Sequence, residues 1–261
     1  MHNKTLKLLG VSLFLLIFIA LILIPLHKKP PVKKIPLSHG RVIRGRIAIV
    51  IDDWGYNLNN FSIIKQIKQP LTCAILPGLK DSNLVMQKLN SLGFEIILHL
   101  PMEPKEKYNL ENNTITLGMD AEQISKIFEQ DLLSITLAKG ISNHMGSRIT
   151  EDEKSSAMVM AEAKKRKLYF FDSFVTNQSV CPVLAKKINI RFAKRDVFLD
   201  NQNDSAYIKG QLIKLKKMAR RQGSAIGIGH DRKNTLLVLK EMLGQLEKEG
   251  YELVFLSQVM Q

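Results

Sequence analysis

Short apolar, β-branched runs recur along this chain, each separated from the next by about the length of one helix. That rhythm restricts the fold more than any other feature. The runs occupy residues 47–51, 71–76, 94–98, 140–143, 168–171, 190–193, 225–228 and 253–256. Helix-period segments lie between them. Asp120-x-x-Gln123 opens one with a capping-box pattern, and Thr150-x-x-Glu153 opens another that runs to about residue 167. A last helix carries Leu236, Leu237, Leu239 and Leu246 and closes near Gly250. Strands alternating with helices predict a mostly parallel sheet in an α/β fold. Seven or eight such units over residues 46–261 suit a (β/α) barrel slightly smaller than an eightfold one. A doubly wound open sheet is the competing architecture.

The rhythm begins only after a different kind of segment. Residues 8–26 contain no charge and are rich in Leu, Ile and Phe. A run of about 20 apolar residues is long enough to cross a bilayer as a helix. Ala20 stands among large side chains, without the small-x-small pattern of a cleavage site. Residues 1–27 are therefore expected to be an uncleaved signal anchor. Residues 28–45, with Pro30, Pro31, Pro36 and several lysines, are expected to be an extended tether. Lys28, Lys29, Lys33 and Lys34 outnumber the basic residues before the span, which by the positive-inside rule slightly favours a cytoplasmic body.

Charge distribution argues against a nucleic-acid partner. Of the formal net +14, eight positive charges lie in residues 1–45, where there is no Asp or Glu, leaving +6 for the rest. The clusters at Lys164, Lys165, Arg166 and Lys167, and at Lys214, Lys216, Lys217, Arg220 and Arg221, fall on expected helices as solvated faces. No aromatic-studded strand accompanies them. The two cysteines, Cys73 and Cys181, are too few for a disulfide scaffold or a four-thiolate zinc site, and are expected to be buried free thiols.

In parallel α/β folds, sites form at the C-terminal ends of strands. Asp52, Asp53, His99, Glu103, His144, Asp172, Arg195, Asp196 and His230 all fall at or just past such ends. All three histidines beyond the tether, His99, His144 and His230, are among them. A carboxylate and two imidazoles suit Zn²⁺ or a similar ion and leave positions open for water. Asp52 and Asp53 would face opposite ways in a regular strand, but a turn lets both approach one site. One can then bind metal while the other accepts a proton from water. Asp172 either orients a liganding histidine or caps the following helix. Arg195 and Asp196 are either a local ion pair or part of the site.

Six motifs occur in a telling order. They are Ile51-Asp52-Asp53-Trp54-Gly55, His99-Leu-Pro-Met-Glu103-Pro, Asn143-His144-Met-Gly-Ser147, Asp172-Ser173, Arg195-Asp196-Val-Phe-Leu-Asp200 and Ile226-Gly-Ile-Gly-His230. Over residues 46–258 this pattern resembles the divergent polysaccharide deacetylase family of the NodB-like carbohydrate esterases. The resemblance implies a distorted (β/α)₇ barrel of the NodB-like type. It implies Asp52 as general base, Asp53 as metal ligand and His230 as general acid. It also implies an extracytoplasmic glycan or peptidoglycan-like substrate, which places the body in the periplasm against the charge bias above. The chain departs from the wider superfamily at Glu103, which stands where a second histidine ligand is usual. Either Glu103 or His144 would complete the set with Asp53 and His99. His144 is preferred because Pro101 and Pro104 constrain the segment carrying Glu103. The expected function is metal-dependent, zinc-using deacetylation of an envelope polysaccharide. The alternative is a catalytically weak or inactive metal- or glycan-binding protein of the same fold.

Overall fold

The computed structural model describes residues 43–261. The segments expected to be the span (residues 1–27) and nearly all of the tether lie outside them. Among the described residues, no helix is long and apolar enough to cross a membrane.

Among the described residues, nine strands form one sheet: β1 (Gly45–Trp54), β2 (Thr72–Ile75), β3 (Glu95–Met102), β4 (Gly140–Met145), β5 (Tyr169–Asp172), β6 (Phe192–Lys194), β7 (Val197–Phe198), β8 (Ser224–His230) and β9 (Tyr251–Val254). The helices are α1 (Phe61–Ile64), α2 (Ser82–Ser91), α3 (Ala121–Ser134), α4 (Ser147–Glu151), α5 (Glu153–Lys165), α6 (Cys181–Ile188), α7 (Ser205–Gln222) and α8 (Lys233–Lys248). Every strand pairing is parallel, in the order β6-β5-β4-β3-β2-β1-β8-β7, with β9 also on β1. Strand β8 runs along β1 from Arg46 to Asp52. The opposite edge of β1 is shared lengthwise: β9 takes residues 45–48 and β2 takes residues 50–54.

The expected distorted (β/α)₇ barrel takes the form of an open, parallel half-barrel. The end strands β6 and β7 do not pair with each other. Strand β7 is only two residues long, too short to show as an apolar run, and it turns back onto β8 rather than closing the ring.

Strand parity divides the core into two layers. Ile47, Ile49 and Ile51 pack outward with the helices. Ala48, Val50, Ala74, Ile97, Phe171, Ile226 and Ile228 point to the concave side and pack with Leu256 and Val259 from the C-terminal segment. That segment crosses the base of the curl. Gln261 exchanges backbone hydrogen bonds of 2.9 and 3.1 Å with Phe192. Buried Glu95 accepts from Thr72 Oγ1 (2.9 Å), Tyr169 OH (3.0 Å) and the Ser257 amide (3.1 Å), which ties the segment to three strands.

The Asp120–Gln123 capping box is present in both directions, each bond 2.9 Å. The one expected at Thr150 is not. Thr150 lies inside α4, where its hydroxyl donates to the Gly146 carbonyl at 2.9 Å. Asp152 caps α5 instead, accepting from the Ser155 amide at 2.7 Å. Cys73 and Cys181 are buried thiols, neither in a disulfide.

Candidate metal centre

The parity that turns Ala48 and Val50 inward also turns Asp52 inward, and the same rule brings His99 in after Ile97 and His230 in after Ile228. The sheet register sets Asp52 opposite His230 and His99 opposite Ser142. These side chains meet at the C-terminal mouth of the curl.

Asp53 reaches the same mouth through an irregularity within β1. Its φ is 65°, in the left-handed region, and the β1–β2 register shifts between Ile51 and Trp54. Aspartate tolerates that conformation better than most residues. Asp53 Oδ1 lies 3.3 Å from His99 Nε2 and 3.2 Å from His144 Nδ1. The candidate ligand atoms of Asp53, His99 and His144 all lie within 4.8 Å of one another. The two imidazoles meet edge to face, with centroids 5.0 Å apart. His144 is held at the end of β4 by the tight turn that follows. Asn143 Nδ2 donates to the Met145 carbonyl at 2.7 Å, Met145 has φ 53° and Gly146 has φ 88°. A Cβ at Gly146 would sit 2.8 Å from Met102 Cβ, so only glycine fits this turn against β3.

Around this trio the residues hold one another in place. Ser142 Oγ lies 2.8 Å from His99 Nδ1 and can accept its proton, which leaves Nε2 facing the carboxylates. Asp52 is 2% exposed, its Oδ2 is 3.7 Å from His99 Nε2, and its Oδ1 has no hydrogen-bond partner. Burial raises the Asp52 pKa, against the pull of His99 and His230. Burial works the same way on Asp53, but hydrogen bonds from His144 and His99 outweigh it and hold that carboxyl well below the ordinary range. Two adjacent carboxylates are thus driven in opposite directions, a pattern that separates a proton acceptor from a permanent anion.

On the other side of Asp52, fully buried Asp200 holds His230. Its Oδ1 lies 2.7 Å from His230 Nδ1, and its Oδ2 accepts from the His230 amide (2.8 Å) and Thr235 Oγ1 (2.6 Å). Burial lowers the His230 pKa, but the hydrogen bond and charge of Asp200 outweigh it and raise it overall. A Cβ at Gly229 would sit 2.7 Å from Thr235 Cγ2, so glycine lets this network close. The His230 ring stacks on Phe198 (5.9 Å, 14°), and the Arg195 guanidinium lies 3.7 Å from the Phe198 centroid.

The other residues expected at the site make their hydrogen bonds outside the trio. Glu103 pairs with Arg148 Nε (3.2 Å) and accepts from the Leu117 amide (2.7 Å), bracing the β3–α3 loop outside the trio. Asp172 accepts from the Phe174 amide (2.7 Å) and Ser179 Oγ (2.6 Å) and touches none of the three histidines. Arg195 and Asp196 form no ion pair with each other. Arg195 donates to the carbonyls of Ser173 (2.7 Å) and Phe174 (2.6 Å), and Asp196 accepts from the Ile226 amide (2.8 Å). Residue-level reading gave no role to Asp200, Ser142 or Asp231. Asp231 donates its amide to the Asp52 carbonyl (3.0 Å) and receives Asn60 Nδ2 on Oδ1 (2.9 Å). The available signal for Asp200 was an acid just past the strand beside that of His230.

Residues 49–260 match the family model described as divergent polysaccharide deacetylase. The chain belongs to that family. An uncharacterised Escherichia coli protein, YibQ, is 34% identical over 205 residues, which span 78% of this chain and 64% of that protein. An uncharacterised Agrobacterium tumefaciens protein of known structure superposes with a TM-score of 0.78 at 26% identity, covering 86% of this chain and 92% of that one. A family 4 carbohydrate esterase from Streptomyces lividans, solved with acetate, shares the fold at a TM-score of 0.50 and 12% identity, covering 82% and 93%. In this member of the family, the parallel half-barrel carries the Asp53, His99 and His144 trio at its mouth.

Proposed function

We propose that this member of the divergent polysaccharide deacetylase family is a metal-dependent hydrolase that removes N- or O-linked acetyl groups from an envelope polysaccharide. The observation that carries the reading is the convergence of Asp53, His99 and His144 within 4.8 Å, beside a buried carboxylate with an unpartnered oxygen. One carboxylate and two imidazoles form a donor set suited to Zn²⁺, so these three residues would hold the ion. A divalent cation there supplies a water of lowered pKa and polarises an acetyl carbonyl. Asp52, with Oδ1 free and its pKa raised by burial, accepts the proton from water. His230 delivers a proton to the departing amine or alcohol, so water and the acetylated sugar become acetate and the free sugar. Asp200 fixes the His230 ring by its Nδ1, directs Nε2 outward and stabilises the imidazolium. The uncharged run at residues 8–26 and the glycan substrate together support membrane anchoring with the body outside the cytoplasm. No role in nucleic-acid binding is proposed.

The test is acetate release from peptidoglycan and N-acetylated chito-oligosaccharides, followed by mass spectrometry, alongside metal content of the purified protein. Bound metal with acetate release that Asp53→Ala abolishes supports the reading. Bound metal without acetate release favours the binding-only alternative. No bound metal, and no property changed by Asp53→Ala, would sink both.

A further inference from the structure

The parallel sheet gives the body two unlike ends. The metal centre sits at the strand C-termini. At the strand N-termini, the base, α6 and α7 end in basic last turns, and single lysines lead into β4 and β5. Lys139 leads into β4, Lys167 into β5, Lys186 closes α6 before β6, and Arg220 and Arg221 close α7 before β8. All five are exposed, and none is in an ion pair among the described residues. The acids near this end are largely engaged: Glu162 with Arg166 and Lys165, Glu249 with Lys216, Glu247 with Gln69.

At this base a cavity lies between the end of α6 and the end of α7, lined by Lys186, Asn189, Asp196, Gln222, Val259 and Gln261. The C-terminal segment bridges the base, with Arg46 Nη1 donating to the Gln258 carbonyl (3.1 Å) and Arg191 Nη2 to the Ser257 carbonyl (2.6 Å). The described chain also enters at this end. The Arg44 amide donates to the Gly250 carbonyl at 2.9 Å, just before β1 and β9 start. The uncharged run at residues 8–26 therefore precedes, in sequence, a body whose described part begins at this basic end.

We propose that this base docks on the anionic phospholipid surface of the membrane, so that the metal centre faces away from it. The proposal extends the reading of residues 8–26 as a span and does not depend on the deacetylase chemistry. Anionic headgroups attract clustered Lys and Arg within about one Debye length, roughly 8 Å at physiological salt. Eighteen residues, the length of 27–44, reach at most about 60 Å at full extension. Docking instead sets the metal centre one strand length above the lipid, about 30 Å for the ten residues of β1. The substrate reached would be glycan held off the membrane, not a lipid-level headgroup.

The full chain, mixed with phosphatidylcholine vesicles with and without phosphatidylglycerol, tests this. A donor dye at Lys139→Cys reports the base, and one at Lys233→Cys, in the first turn of α8, reports the opposite end. The acceptor is a headgroup dye. Energy transfer from the base is expected to rise several-fold with phosphatidylglycerol and to fall back in high salt, while the other label changes little. Charge reversal by Lys186→Glu, Arg220→Glu and Arg221→Glu is expected to abolish that response without moving the melting temperature. Equal transfer in both lipids, or a salt-insensitive rise, would overturn the proposal, as would duplex DNA displacing the vesicles in competition. Failure to float with pure phosphatidylcholine would refute the span reading alone, because phosphatidylglycerol-dependent flotation still reports the base. Acetate release is read independently of all these.

Discussion

Asp131 offers a direct test of how this fold handles a buried acid. It lies in α3, 1% exposed, with Oδ1 accepting from Asn113 Nδ2 at 3.0 Å and Oδ2 without a partner. Burial, partly opposed by the Asn113 hydrogen bond, raises its pKa from the ordinary 3.8 to about 7. The folded protein then binds this proton more tightly than the unfolded chain, so folding is favoured most below pH ~4, where both states are protonated. As pH rises from ~4 to ~7, the unfolded chain ionises freely and the folded one does not, and stability is lost. At about 1.4 kcal/mol per pH unit, the loss approaches 4 kcal/mol by neutral pH and is flat above it. Asp131→Asn keeps an acceptor for Asn113 and removes the ionisation. The unpartnered position is polar in both proteins, so its cost largely cancels between pH values. Urea unfolding of both proteins from pH 4 to pH 8 measures the difference. Relative to its own value at pH 4, the variant should gain about 4 kcal/mol over wild type by pH 8. A difference that stays constant within about 1 kcal/mol would refute the argument, since it would mean that Asp131 ionises in place at no cost.

The remaining predictions concern the mouth of the curl. Asp53→Ala should remove bound metal, while Glu103→Gln should leave metal content unchanged and lower the melting temperature by only a few degrees; elemental analysis and thermal unfolding separate the two. Ser142→Ala should weaken metal affinity roughly 10- to 100-fold by freeing the His99 ring, measured by competition with a chelating dye. Asp200→Asn should leave metal binding intact and cut acetate release by about 100-fold or more. It should also move the alkaline loss of activity to lower pH, because the charge that keeps His230 protonated is gone; a pH–rate profile reads the direction.

Much of this site is legible because β-strand parity is a strict rule. Once Ala48 and Val50 are assigned to the concave side, Asp52 must follow, and His99 and His230 follow Ile97 and Ile228 in the same way. Asp53 obeys a different logic. It reaches His99 and His144 only because φ turns positive where the β1–β2 register slips, and that slip depends on β2, more than 15 residues away in sequence. The open seam was hidden for a similar reason: β7 owes its existence to pairing with Gly227 and Ile228 on β8, not to an apolar run of its own. Asp200 combines both limits. Its role requires knowing that β7 delivers it beside β8, where its two oxygens take the backbone and ring of His230 and the hydroxyl of Thr235. Local pattern therefore determines which residues point into the curl, whereas long-range register determines which of them touch. The chemistry resides in the touching: the difference between a carboxylate driven up at Asp52 and one driven down at Asp53 comes from hydrogen bonds that only the assembled sheet provides.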